Sequence, residues 1–271
     1  MPSVAVVGNL ALDLVDGAPA RVGGAPFHSA RALRTLTQPA RVVTKCAQAD
    51  RPLLLPPLVA LGVPVTWRPA AATSSFSIVY RGDERLMEVD AVGASWSPEE
   101  ARGWVREALG ASEWVHVAPL LRSDFPPETL AELALGRRLS LDGQGLVRRA
   151  ATGRLELDRD FDPAALAHVS VLKLAEEEAL TLVGGLDRTA LAALGVPEIV
   201  VTLGSRGCLV LVEGRSERVP AVPVPGSADP TGAGDAFIAA YLAARSAGGA
   251  PAASARRATA LVAELLSGKA G

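Results

Sequence analysis

Short apolar runs rich in Val and Leu alternate along the chain with Ala/Leu-rich stretches of helical period. Residues 4–8, 41–44, 63–67, 114–117, 138–142, 169–173 and 198–203 read as strands. Several are apolar at every position, the pattern of a strand covered by helices on both faces. Residues 26–36, 52–61, 98–109, 127–135 and 175–183 read as helices. Four of these carry proline near their start, where no intrahelical N–H bond is lost. Strand and helix alternating throughout predict a doubly wound α/β fold with a mostly parallel central sheet, one domain over residues 1–271.

Two stretches break the alternation. Residues 74–80 and 84–91 flank Arg81-Gly82-Asp83 and read as a hairpin, while residues 11–22 are too irregular for a helix. Together, about 11–22 and 74–91, they predict a small β flap beside the main sheet. A second hairpin is expected at 208–213 and 215–219 around Gly214. Residues 244–255 are rich in small side chains and read as the joint between two helices.

Composition narrows the classes. The 271 residues are 49% hydrophobic and 21% charged, with a formal net charge of −2. That balance offers no long-range attraction to nucleic acid or to an anionic membrane. Residues 1–13 have no basic leader, and Asn9 and Asp13 interrupt their apolar run, so they read as a buried strand and not as a signal peptide. No apolar run reaches the roughly 18 residues of a membrane span. Cys46 and Cys208 are too few for a disulfide framework or a four-thiolate zinc site. A soluble protein of the reducing cytoplasm is expected. Lysine stands only at 45, 173 and 269 among 27 cationic residues, an arginine bias that reads as composition.

The stretch most informative for chemistry is Asp229-Pro-Thr-Gly-Ala-Gly-Asp235-Ala-Phe-Ile. A proline-rich segment leads into Thr231-Gly232-Ala233-Gly234, and from Asp235 the apolar pattern is helical. Glycines in the first turn let a ligand approach the backbone, and the free N–H groups with the positive helix end make an anion site. A carboxylate beside bound phosphate has a use if it takes a proton from an attacking hydroxyl. The same residues also read as an ordinary tight turn with an acid in a first helical turn. Neither a Walker A pattern nor a dinucleotide G-x-G-x-x-G is present.

Asp-Pro-Thr-Gly-Ala-Gly-Asp-Ala-Phe resembles the C-terminal signature of the ribokinase-like (PfkB) carbohydrate kinases. Gly23-Gly24-Ala-Pro-Phe-His28-Ser-Ala-Arg-Ala-Leu, preceded by Gly8-Asn-Leu-Ala-Leu-Asp13, resembles the N-terminal one. Val201-Thr-Leu-Gly-Ser-Arg-Gly207 is similar to the strand-to-loop element beneath ATP. The matches run in order from residue 4 to about 247.

The resemblance implies Asp235 as catalytic base and the backbone of Gly232, Ala233 and Gly234 as the anion hole. It places Asp13, Gly23, Gly24 and His28 at the acceptor and Thr202, Gly204, Gly207 and Lys173 at the nucleotide. Glu178 and Asp142 would serve Mg²⁺ through water, and Asp229 and Thr231 a monovalent cation such as K⁺. The flap would be a lid that closes over the acceptor and excludes water; its exposed edge could also pair two copies into a homodimer.

The chain departs from the family pattern at two points. His28 stands where many members carry Asn, and the Asn-x-x-Glu element reads Ala175-Glu176-Glu177-Glu178. Asp142-Gly-Gln144-Gly-Leu-Val-Arg148, His116-Val-Ala-Pro119 and Thr73-Ser-Ser-Phe76 resemble an inositol-kinase-like subgroup. Arg148 reads either as a phosphate ligand or as a solvated surface residue. His116, Cys46, Cys208, Trp96 and Trp104 read as packing residues and His168 as surface.

The resulting expectation is an ATP-dependent kinase acting on a hydroxyl of a small sugar or cyclitol. A nucleoside kinase of the same fold and a non-catalytic ligand sensor are the rivals.

Overall fold

The computed structural model describes residues 4–81, 84–224 and 230–268. The strands in the first half are β1 (Val4–Asn9), β2 (Ala11–Val15), β3 (Arg21–Gly23), β4 (Ala40–Ala47), β5 (Val65–Ala70), β6 (Ser74–Arg81) and β7 (Glu84–Ala91). Then come β8 (Trp114–Val117), β9 (Arg138–Asp142), β10 (Gly153–Arg154), β11 (Val169–Ala175), β12 (Glu198–Thr202), β13 (Cys208–Val212) and β14 (Arg215–Val219).

The central sheet has the order β14-β13-β12-β11-β9-β8-β1-β4-β5. Pairings from β12 through β5 are parallel, and only β13 and β14 return antiparallel at one edge. The chain begins at β1, winds outward to β5, then crosses back to β8 and winds to β12. The direction therefore reverses between β1 and β8, where a doubly wound sheet opens a crevice at its carboxyl ends.

Neighbouring side chains on β1 serve opposite layers. Val4 and Val6 pack with residues of the Ala25–Thr35, Ala233–Ser246 and Pro251–Leu266 helices. Ala5 and Val7 pack with Ala101, Val105, Leu130 and Ala179 on the other face. Both sets are fully buried, which is why β1 reads as continuously apolar.

Residues 11–22, expected in the β flap, form most of a hairpin, β2 and β3, turning through Asp16 (φ 49°) and Gly17 (φ 72°). They join a smaller sheet of order β10-β7-β6-β2-β3. The turn residues Gly82 and Asp83 lie outside the described residues. Along β6, Phe76 and Ile78 are buried and pack with Leu120 and Leu121, whereas Ser75 and Ser77 point to the wetter face.

Three local expectations shift. The strand expected at 63–67 runs Val65–Ala70 and includes Pro69, acceptable because β5 is an edge strand. The helix at 98–109 is interrupted by a π-turn at Ala101–Val105, where Gly103 leaves helical geometry. A short Gln144–Val147 helix and β10 were not foreseen.

Buried polar groups root the small sheet in the large one. Asn9 Nδ2 donates to the Ala94 carbonyl at 3.0 Å, and Lys45 Nζ to the Ser95 carbonyl at 2.7 Å and to Glu100 Oε2 at 2.8 Å. Gly93 N–H donates to Ser74 Oγ at 3.0 Å, and Trp96 N–H to the Asp124 carbonyl at 2.7 Å. Asp124 Oδ2 accepts the Leu120 N–H at 2.8 Å.

Burial pushes the Asp124 carboxyl up to about 6 despite its backbone donors, and burial pushes His116, beside Ser140 in β9, down to about 4. Between about pH 4 and 6 the folded chain holds a proton on Asp124 that the unfolded chain has released, so this group lowers stability as pH rises. His116 acts oppositely, because there the unfolded chain holds the extra proton. Asp124→Asn should therefore gain stability relative to the parent by up to about 1.4 kcal/mol per pH unit across that window. Denaturant unfolding at several pH values tests this, and parallel stability profiles would show that Asp124 does not titrate there.

Candidate active site

Thr231 and Gly232 bring the chain into the Ala233–Ser246 helix. Gly232 has φ 78°, a left-handed conformation that a side chain disfavours. It lets the helix start abruptly, and a helix start leaves its first N–H groups without intrahelical acceptors. The helix is clamped by Glu198 of β12, whose carboxylate accepts from Tyr241 Oη at 2.6 Å and from Arg245 at 2.8 and 3.0 Å. Ser29 Oγ donates to the Asp235 carbonyl at 3.3 Å from the neighbouring Ala25–Thr35 helix.

Beneath this turn lies Lys173, at the carboxyl end of β11 and 6% exposed. Its Nζ is 3.2 Å from Asp142 Oδ2 at the end of β9. It also lies 3.3 Å from the point where a Cβ on Gly234 would stand, so the ammonium rests against the glycine turn. Burial alone would lower its pKa, but the carboxylates of Asp142, Glu178 and Asp235 outweigh this and hold it above the ordinary lysine range. Burial raises the pKa of Glu178, against the pull of Lys173. Glu178 Oε2 also accepts the Ala175 N–H at 2.7 Å, closing the start of the Glu176–Val183 helix where Ala175 has no capping oxygen of its own.

On the opposite wall, Asp13 projects from β2 and is 6% exposed. A Cβ on Gly23 would fall 2.1 Å from Asp13 Oδ2, so the bare backbone of β3 is what lets this carboxylate lie across it. Gly24 caps the Ala25–Thr35 helix, and His28 from that helix packs on Gly232. Tyr80 Oη and Thr231 Oγ1 are 2.8 Å apart, which ties β6 of the small sheet to the turn before the Ala233–Ser246 helix.

Asp13, Gly24, His28, Lys173, Glu178 and Asp235 line one cavity of about 240 Å³, roofed by Phe76, Ile78 and Met87. A second cavity of about 350 Å³ meets it at Thr202 and Gly234. This one holds Gly204, Gly207 and Ala233 with Ser205 and Thr259, and the rest of its lining is mostly apolar, with Val222, Phe237 and Val262. A larger hollow of about 470 Å³ behind Thr231 and Gly232 has neither Asp235 nor any other carboxylate among its lining residues. Gly23 and Asp142 line neither of the two joined cavities; they set Asp13 and Lys173 in place. Asp229 lies outside the described residues.

The pfkB family carbohydrate kinase model matches residues 19–269. The chain belongs to the pfkB family. Over 142 residues it is 30% identical to the cytidine kinase of Thermococcus kodakarensis, covering 49% of this chain and 48% of that protein. Over 155 residues it is 33% identical to a fructokinase of Klebsiella pneumoniae, covering 53% and 49%. These matches span about half the length of each relative. A pyrophosphate-dependent kinase of the ribokinase family, solved with a pyrophosphate analogue and myo-inositol, superposes with TM-score 0.84. That alignment is 24% identical and covers 97% of this chain and 94% of that one, and it establishes the ribokinase-like fold.

Within this pfkB chain, the residues foreseen from the two signatures converge from elements far apart in sequence. Glu198, Tyr241, Arg245 and Tyr80 were not foreseen as supports of the site. Each acts only through a partner tens of residues away, and no local pattern marks that. His116 is wholly buried with Nδ1 3.2 Å from Ser140 Oγ, Trp96 stacks on Phe125, both cysteines are buried and His168 is exposed.

A methyl group at Gly232 would stand 2.2 Å from His28 Nδ1 and would strain the left-handed turn. Gly232→Ala should destabilise the chain by about 1–3 kcal/mol. His28→Ala in the same chain should recover the part due to the collision, leaving about 1 kcal/mol from the backbone. A double-mutant cycle by denaturant unfolding measures this; strictly additive effects would mean that the two residues do not press on each other.

Proposed function

We propose that this chain is an ATP-dependent phosphotransferase acting on a hydroxyl of a small sugar or cyclitol. One observation carries the reading: the Asp235 carboxylate stands in the first turn of a helix whose N-terminal end, at Gly234, meets the junction of a polar and a mostly apolar cavity. The polar cavity suits an acceptor with several hydroxyl groups, which Asp13 and His28 would hold under the Phe76–Ile78 roof. The apolar cavity suits a nucleobase, with Thr202, Gly204 and Gly207 along its approach, and this favours ATP over a bare pyrophosphate donor.

In this mechanism Asp235 takes the proton of the attacking hydroxyl as its oxygen bonds to the γ-phosphorus and the bridging oxygen departs with ADP. Backbone N–H groups of the Gly232–Gly234 turn donate to the oxygens of the phosphoryl in transit. Lys173, held by Asp142 and leaning on Gly234, adds positive charge from beneath. The small sheet, tied down through Tyr80, keeps water from competing with the acceptor.

Among the described residues no three His, Cys, Asp or Glu side chains form a metal cage. With Asp142 engaged by Lys173, the donor set fits Mg²⁺ held through water by Glu178 and otherwise by donor phosphates. When bound there, the ion would screen phosphate charge. Thr231 keeps its hydroxyl on Tyr80, and the monovalent-cation pair it would form with Asp229 enters no step here.

Fructokinase and cytidine kinase among the relatives, and myo-inositol in the structural neighbour, define the acceptors to try first. ADP release should be detected with ATP, Mg²⁺ and at least one sugar, cyclitol or nucleoside, and the acceptor class follows from which one. Asp235→Asn should lower kcat at least about 10²–10⁴-fold while ligand binding measured by calorimetry is kept. Undiminished turnover in that variant would remove Asp235 as the base. Binding without ADP release from any acceptor would favour a ligand sensor.

A further inference from the structure

The Ala25–Thr35 and Pro251–Leu266 helices both pack on the Ala233–Ser246 helix, and both line the hollow behind Gly232. At about 470 Å³ it has the size of a site for a small organic molecule. Val22 of β3, Phe27 of the first helix and Leu265 of the last turn of the second all line it. Each of these apolar side chains is only half-buried, so a further apolar body against them would remove more of their surface from water.

The polar groups at its edge share one sign. Arg21 and Arg31 line it and are exposed, while no Asp or Glu is among the described residues of its lining. The Arg31 guanidinium makes no hydrogen bond, ion pair or ring contact, whereas Arg34, three residues along the same helix, donates to the Leu61 carbonyl at 2.6 Å. The whole chain carries a net charge of −2, so two cations over an apolar floor are a local arrangement. The other two cavities differ. The polar one holds the carboxylates of Asp13, Glu178 and Asp235, and the mostly apolar one has no charged side chain among its described lining residues.

The hollow also borders the acceptor end of the site. It shares His28, Thr231 and Gly232 with the polar cavity. The His28 ring packs on Gly232 and meets Phe27 edge-on, with ring centroids 5.4 Å apart. A ligand seated against Phe27 therefore bears on the imidazole that borders the acceptor.

We infer that this hollow is an effector site for an organic anion with an apolar body, a carboxylate of medium-chain length. Arg21 and Arg31 hold its charge, and Val22, Phe27 and Leu265 its tail. Occupancy braces His28 on Gly232 and tightens acceptor binding. The effector role rests on the phosphotransferase reading; the binding does not.

Octanoate is the probe. Calorimetry on the full chain should give a Kd of about 0.1–1 mM, which about ten heavy atoms can reach. The neutral 1-octanol should bind about 10-fold more weakly. Arg31→Glu should weaken octanoate about 10-fold and leave the melting temperature within about 2 °C of the parent, because the guanidinium loses no partner. Leu265→Trp, which fills the hollow from its apolar side, should abolish binding. A saturating acceptor, once ADP release has identified one, should tighten octanoate about 5-fold, and octanoate should tighten the acceptor by the same factor.

Equal affinity for octanol and octanoate, or an unchanged Kd in Arg31→Glu, would overturn the site. Displacement by ATP would do the same, by placing the probe in the mostly apolar cavity. Independent binding of octanoate and acceptor would remove the effector role. If the parent transfers no phosphate to any acceptor, the phosphotransferase reading fails, and octanoate binding to the parent and to Arg31→Glu still decides the site.

Discussion

One buried ammonium makes the site possible. Asp142 and Glu178, buried at the end of β9 and in the Glu176–Val183 helix, meet the half-buried Asp235 of the Ala233–Ser246 helix, and three carboxylates gathered in one place repel one another. Lys173 at the end of β11 answers all three. It pairs with Asp142, lies against Gly234 and draws Glu178 toward its charged form. The last turns of two parallel strands and the first turns of two helices are thereby locked in one electrostatic unit. The helix N-terminus stays where Gly234 meets the cavity.

Around that unit the fold divides its labour. The large sheet and its helices supply rigid placement, seen in the Glu198 clamp on Tyr241 and Arg245. The small sheet supplies the roof. It is joined to the body through buried polar roots at Asn9, Lys45 and Asp124 and to the glycine turn through Tyr80. Two glycines make the close approaches: Gly23 leaves space for the Asp13 carboxylate, and Gly232 accepts both a left-handed turn and the ring of His28.

The parallel strands and the main helices were legible because burial on both faces leaves a continuous apolar run, whereas amphipathic helices repeat every three to four residues. Residues 11–22 were legible as part of a β flap but not strand by strand, since β2 and β3 are only five and three residues long and polar residues interrupt them. Their pairing to β6 and to each other is what gives them shape. The displaced strand at Val65–Ala70 and the π-turn at Ala101–Val105 are local departures that neighbours impose. Asp235 and its glycines stood out because turn, helix start and acid fall within a few consecutive residues. Lys173 stood out only through its place before Glu178, and Arg148 could be read equally as surface.

From the sequence alone came the alternation that dictates a doubly wound sheet, the glycine turn and helix start at 231–235 and the chain's likeness to a kinase family. All of these depend on residues near one another along the chain, through periodicity, backbone freedom and helix-end charge. The tertiary structure alone decided that Lys173 neutralises carboxylates from three other elements, that Gly23 and Gly232 are bare to admit Asp13 and His28, and that Arg148 lines the polar cavity. Those outcomes rest on distances between residues far apart in sequence. Short-range propensity carries no information about which charges and surfaces meet once the two sheets have packed.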